Sequence, residues 1–227
     1  KSDLKGEGGC YKNKFYGINS HQCIQMTPTF TCNNACVFCW RDLRYHTEPA
    51  MENGIDEPAD IVEGTIEAQR RLLSGFGGNE KTSYEKFERA MAPQHVAISL
   101  DGEPTLYPKL TELIKEYRKK NFSTFVVSNG LLPERIEKLL EEPPTQLYIS
   151  VDASNEELFN VIDRPIIKNA WQGLVKTLSM LPKLREKMRT VLRFTLIKKL
   201  NMDYPEQWAE IIKMSNPMFV EVKAYMW

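Results

Sequence analysis

Six short apolar runs recur along the chain, each separated from the next by a stretch of helical periodicity. This alternation limits the fold more than any other feature. The runs are residues 23–29 (CIQMTPT), 95–100 (HVAISL), 123–128 (STFVVS), 146–151 (QLYISV), 190–197 (TVLRFTLI) and 218–227 (MFVEVKAYMW). Several are almost unbroken apolar segments, as expected of parallel strands covered on both faces. Helical patterns occupy 60–75, 107–121, 133–142, 169–181 and 204–215. In 107–121, Leu110, Leu113, Ile114 and Tyr117 share one helical face, and a basic turn closes the segment. Pro133 suits a first helical turn. A βα alternation of this kind predicts an α/β fold with a parallel sheet, either doubly wound or wound as an open partial barrel. Residues 75–94, rich in Gly, Asn, Lys and Glu, read as an insertion or a mobile crossover.

Folds of this class carry their chemistry beyond the carboxyl ends of the strands. The motifs of this chain fall there. The first run leads into Cys32, Cys36 and Cys39, and the second into Gly102 and Glu103 within DGEPTLYP. The third ends in Ser128 and Asn129, the fourth in Ser150 and Asp152, and the fifth carries Arg193.

All five cysteines (Cys10, Cys23, Cys32, Cys36 and Cys39) lie in the first fifth of the chain, which points to a site rather than a disulfide framework. A structural zinc takes four ligands, commonly as two separated pairs. Only Cys36 and Cys39 form a CxxC, and the three histidines have no zinc-like spacing. A thioredoxin-like pair would leave Cys32 surplus. A four-iron cubane held by three thiolates keeps one iron open to a small molecule. Thirty Lys plus Arg balance thirty Asp plus Glu, so there is no global attraction to nucleic acid. A local basic stretch at 183–199 holds seven Lys or Arg against one Glu, and Arg41 and Arg44 flank the cysteine loop; these are the candidates for phosphate contacts. No segment is long and apolar enough to span a membrane.

The spacing CxxxCxxC, with Phe38 just before the last cysteine, resembles the cluster loop of the radical S-adenosylmethionine (SAM) superfamily. That resemblance implies a partial (βα)6 TIM-like barrel over residues 23–227, preceded by a cysteine-bearing extension at 1–22; the start at Lys1 rather than Met and the stop inside an apolar run lead us to expect a chain trimmed at both ends. It implies a 4Fe–4S cluster on Cys32, Cys36 and Cys39, with SAM on the open iron. Reductive cleavage then gives a 5′-deoxyadenosyl radical that abstracts hydrogen from the substrate. Gly102 and Glu103 occupy the place of the superfamily's glycine-rich motif. Ser128, Asn129, Ser150, Asp152 and Arg193 are the further cofactor-binding candidates.

A closer resemblance rests on TPTFTCNNACVFCWR, HVAISLDGEPTLYP, STFVVSNG and MFVEVKAYM, which are similar to the tRNA 4-demethylwyosine synthase family in its compact archaeal form. This resemblance implies a carbon–carbon lyase that condenses N1-methylguanosine, beside the anticodon of tRNA-Phe, with pyruvate. It implies a second 4Fe–4S cluster on Cys10, Cys23 and a third cysteine upstream of Lys1, and a Schiff base between Lys12 and pyruvate. An external electron donor, a monomeric state and a cytoplasmic location complete the expectation. The alternatives are another radical SAM enzyme, of protein-activating or methyl-transferring type, and a non-enzymatic metal-binding module.

Overall fold

A computed structural model describes residues 2–51 and 54–225 with their side chains, apart from that of Tyr45. Its six strands are β1 (Cys23–Met26), β2 (His95–Ile98), β3 (Ser123–Ser128), β4 (Gln146–Ser150), β5 (Arg189–Leu196) and β6 (Phe219–Ala224). All neighbours pair in parallel, and the spatial order is the chain order from β1 to β6. A doubly wound sheet reverses direction at a switch point. This sheet never does, so it has the winding of a partial barrel.

The helices are α1 (Tyr11–Tyr16), α2 (Leu43–His46), α3 (Pro58–Leu73), α4 (Tyr84–Ala90), α5 (Leu110–Lys119), α6 (Pro133–Lys138), α7 (Glu156–Ile162), α8 (Ala170–Leu184) and α9 (Pro205–Ser215). The main core joins Ile24, Val96, Ile98, Val126, Leu147, Ile149 and Leu192 of the strands to Leu113 and Ile114 of α5, Leu174 and Leu178 of α8, and Trp208 of α9. Alternate residues on the opposite sheet face, Ala97, Phe125, Tyr148 and Val191, close over Ile18, just after α1. Burial on both faces accounts for the unbroken apolar runs. Leu113, Leu178 and Leu192 are fully buried; each contributes about 2 kcal/mol of burial free energy before ordering entropy.

Four helices escape the apolar periodicity, among them the short α2, whose cap Asp42 accepts from Arg44 N at 3.1 Å. Helix α7 is set by its cap, with Asn155 Oδ1 accepting from Leu158 N at 2.9 Å. Helix α4 lies inside 75–94, the segment read as an insertion or a mobile crossover, and packs part of it. Ala90 packs with Leu4 and Leu73, and Lys86 Nζ stands 2.7 Å from Asp3 Oδ1. Helix α1 lies against the concave sheet face, where Tyr16 donates to Glu221 Oε1 of β6 at 2.8 Å. The strand expected at 218–227 occupies Phe219–Ala224, and residues 226–227 lie outside the described residues.

Candidate active site at the carboxyl ends of the strands

The cysteine loop follows β1 and is fastened from two sides. On one side Cys32 N donates to His46 O at 2.9 Å and Glu48 N to Cys32 O at 3.0 Å. On the other, Ala35 N donates to Asp163 O, Val37 N to Ile162 O and Ile166 N to Asn33 O, all at the end of α7. All three thiols are free and half-buried. Burial, then the Glu103 carboxylate, pushes the Cys32 thiol up to about 12. Burial and Asp163, whose Oδ1 is 3.7 Å from the sulfur, push Cys36 well above the ordinary range. Without metal, Cys32 and Cys36 hold their protons, and metal binding must release them.

The donor set fits an iron–sulfur cluster. Cys32, Cys36 and Cys39 lie within electrostatic reach of one another. Asn33 Nδ2, Asn34 Oδ1 and Asp163 Oδ2, around the same loop, are buried without hydrogen-bond partners. Among the described residues no three His, Cys, Asp or Glu gather tightly enough for a single ion. Three thiolates on one loop can hold a four-iron cubane and leave one iron open.

Arg41 is not available to nucleic acid. Its side chain is only 5% exposed, and its Nε lies 2.7 Å from Asp101 Oδ1. The same guanidinium donates to Phe30 O and interacts with the Cys39 thiol. It therefore ties the cysteine loop to the turn after β2. Gly102 follows in that turn with φ +63°, and a Cβ there would lie 2.3 Å from Thr29 O and 2.8 Å from Thr31 O. Only glycine allows this approach of two chain segments.

Glu103 faces inward. Its Oε1 accepts from Thr105 N (3.0 Å), Thr105 Oγ1 (2.6 Å) and Ser128 Oγ (2.8 Å), and its Oε2 from Asn129 N (2.7 Å). Complete burial raises its pKa, and those donors oppose the rise. Asn129 Nδ2 then donates to Asn33 Oδ1 in the cysteine loop at 2.7 Å. Gly102, Glu103, Ser128 and Asn129 thus form a connected framework behind the loop.

Ser150, Asp152 and Arg193 line a cavity of about 450 Å³, together with Phe38 and Trp40 of the cysteine loop and Lys223 of β6. Asp152 Oδ1 accepts from Thr195 N at 2.9 Å, and burial pushes its pKa up to about 6. Asn201 fixes the neighbouring backbone, donating from Nδ2 to Asp152 O (2.7 Å) and Thr195 O (2.8 Å).

Lys12, on α1, is 8% exposed. Its ammonium sits 5.2 Å from the Tyr11 ring centroid and 5.8 Å from that of Phe125 on the concave face. Cys10 caps α1 and is exposed, while burial pushes the Cys23 thiol up to about 11. These residues stand apart from the Cys32–Cys39 loop, on the side of the sheet that α1 covers.

The model of the Radical SAM superfamily matches residues 26–212. The chain belongs to the radical SAM superfamily. A 4Fe–4S cluster and SAM are therefore its cofactors. This radical SAM chain is 47% identical over 220 residues to an S-adenosyl-L-methionine-dependent tRNA 4-demethylwyosine synthase from Pyrococcus horikoshii, covering 96% of this chain and 64% of that relative. It is 41% identical to the human TYW1 synthase, covering 98% of this chain and 30% of the relative. The chain thus spans less than two thirds of the length of these relatives.

Solved structures agree. A structure of TYW1 with a lysine–pyruvate adduct bound has a TM-score of 0.87 and 42% identity, over 100% of this chain and 72% of that one. Archaeal TYW1 has a TM-score of 0.81 and 38% identity, over 99% and 73%. A radical SAM methyltransferase from Sphaerobacter thermophilus, at 18% identity and a TM-score of 0.62, shares the fold alone.

Two participants were not legible as such in the sequence. Arg41 stood as a candidate phosphate contact, with no sign of its tie to Asp101. Lys223 carries a signal only in its alternation with Glu221, which puts both on the concave side of β6.

Proposed function

We propose that the chain is the radical SAM portion of a tRNA-modifying carbon–carbon lyase that condenses N1-methylguanosine, beside the anticodon of tRNA-Phe, with pyruvate to form 4-demethylwyosine. One observation carries this reading. The chain matches over its whole length a TYW1 structure that holds a lysine–pyruvate adduct, and Lys12 presents a buried amine on the concave face of its own sheet.

Cys32, Cys36 and Cys39 would hold the cluster. When bound, the cluster and SAM supply a carbon radical able to take hydrogen from the N1-methyl group. The protein's own part is placement. Phe38 and Trp40 wall the cavity on the cluster side, and Ser150, Asp152 and Arg193 offer polar contacts to the cofactor. Gly102, Glu103, Ser128 and Asn129 hold the loop in register with the strand ends. Lys12 would add to the keto carbon of pyruvate and lose water to form a Schiff base.

In this reading residues 1–22 form an extension that contributes to the site. Cys10 and Cys23, with a third cysteine upstream of Lys1, would carry the second 4Fe–4S cluster, and an external donor would reduce the radical-generating one. Burial of Arg41 moves the phosphate contacts to Arg44 and to Lys198 and Lys199, exposed at the carboxyl end of β5. The other cations of 183–199 divide between the end of α8, the far end of β5 and the cavity, so the stretch is not one patch. A cytoplasmic monomer fits this function.

The test is an anaerobic assay with N1-methylguanosine tRNA, pyruvate and SAM, using the full-length enzyme carrying both clusters. A tricyclic guanosine derivative is expected. Its absence, with SAM still being cleaved, would reject this substrate assignment in favour of another radical SAM reaction.

A further inference from the structure

Lys223 stands where two cavities meet. It lines the 450 Å³ cavity beside Arg193 and Asp152. It also lines a second space of about 400 Å³ along α1, with Tyr11, Tyr16 and Glu221. Arg193 borders only the first. The register explains the placement: Thr195 pairs with Lys223 and Arg193 with Glu221, and alternation turns all four toward the concave side.

Positive charge is in excess at this junction. Arg193 and Lys12 repel the Lys223 charge, and the Glu221 and Asp152 carboxylates offset part of that repulsion, so three cations face two carboxylates. Of the carboxylates nearby, Glu221 accepts the Tyr16 hydroxyl and Asp152 accepts Thr195 N. Among the described residues none of these three cations forms an ion pair with a carboxylate. Desolvation at the cavity wall, then the Arg193 charge, holds the Lys223 pKa below the usual lysine value. A bound anion would relieve this repulsion.

We infer that Lys223 binds the carboxylate of the 2-oxo acid whose keto carbon Lys12 engages. The inference rests on the Lys12 reading given above. The chemistry selects a neighbour of Lys12, because the carboxylate of a 2-oxo acid is bonded directly to its keto carbon. Lys223 is the cation that borders both the α1 space and the cofactor-side cavity. It would hold the substrate carboxylate between the lysine that tethers the keto carbon and the site of radical attack. It would also select 2-oxo acids over neutral ketones and aldehydes.

Borohydride trapping tests this on the full-length chain. The amine of Lys12 adds to the ketone and water leaves; borohydride then delivers hydride to the C=N carbon, and the nitrogen ends as a secondary amine. Peptide mass spectrometry locates the label. The extent of trapping is followed against pyruvate concentration, and in parallel against methyl pyruvate, which lacks the negative charge.

Wild type is expected to be labelled at Lys12. In Lys223→Met the half-saturating pyruvate concentration should rise at least about tenfold, the loss of one charge-assisted hydrogen bond. In Lys223→Arg it should stay near wild type, and the methyl pyruvate curves of all three proteins should coincide. An unchanged pyruvate curve in Lys223→Met, an equal loss for methyl pyruvate, or a label on Lys223 itself would overturn the inference. Wild type that takes no label at Lys12 from either ketone refutes the Lys12 reading, and this inference falls with it. A wild-type label on Lys12 with indifferent Lys223 variants strikes Lys223 alone.

Discussion

Arg41 Nε lies 2.7 Å from Asp101 Oδ1, and this buried pair joins the cysteine loop to the turn that carries Gly102. The contact of Arg41 with Cys39 places a fixed cation against the sulfur of a proposed cluster ligand. Hydrogen bonds and charges at the sulfurs set cluster potentials. Arg41→Gln should therefore move the midpoint potential of the reconstituted cluster to more negative values, by tens of millivolts. A redox titration followed by electron paramagnetic resonance reads this directly. The orphaned Asp101 should also cost the apoprotein about 3–5 kcal/mol, measured by urea unfolding. An unmoved potential would show that Arg41 only braces the loop.

The three loop cysteines and the two upstream ones should separate in experiment. Replacing Cys32, Cys36 or Cys39 with Ala should abolish SAM cleavage. Replacing Cys10 or Cys23 should lower the iron content of the full-length enzyme by about half, from two four-iron clusters to one, and leave SAM cleavage in place. Iron analysis and quantification of 5′-deoxyadenosine distinguish the two groups.

Gly102→Ala should displace the cysteine loop. Its new Cβ meets two backbone carbonyls, at 2.3 and 2.8 Å, on a residue with φ +63°. Backbone carbonyls cannot swing aside as side chains do. A loss of at least about 2 kcal/mol is expected, with weakened iron uptake. A variant that melts and reconstitutes like wild type would contradict this geometry.

Glu103→Gln keeps the shape and changes the chemistry. Four donors aim at the carboxylate, two from backbone and two from hydroxyls. An amide turns one oxygen into a donor, and either the Asn129 N–H or the Thr105–Ser128 group loses its acceptor. The expected cost is about 2–4 kcal/mol in thermal or urea unfolding.

Asp152 gives stability a pH dependence. Burial raises its pKa from the ordinary 3.8 to about 6. Protonation therefore favours the folded state. The contribution is complete below about pH 4 and lost as pH rises through about 6. Asp152→Asn cannot ionise and can still accept from Thr195 N. Its stability relative to wild type should thus grow between pH 4 and pH 7, by about 3 kcal/mol at most. A difference that is flat with pH would place the Asp152 charge in a better solvated setting.

The central strands were legible because their two covered faces leave unbroken apolar runs, as in Val191 and Leu192, which point to opposite sides and are both buried, whereas β6 has an apolar run but is largely exposed. The cysteine loop stood out in the sequence through its spacing, the Phe38 before its last cysteine and the βα repeat behind it. Glu103 was placed in the right turn, but its inward orientation follows from Ser128 and Asn129, which meet it only across strands. Arg41 was assigned to phosphate because sequence shows its charge and not Asp101, its partner in space. Helix α7 was missed because Asn155 and a short capped turn define it, with no long periodic face.

Among the described residues β1 and β6 are the two ends of the sheet and do not pair with each other. Over the described residues the ring is therefore split. A closed ring would require a polymer to be threaded or its end to be found. A split ring admits a single nucleotide from the side, with the strand running on uninterrupted in both directions.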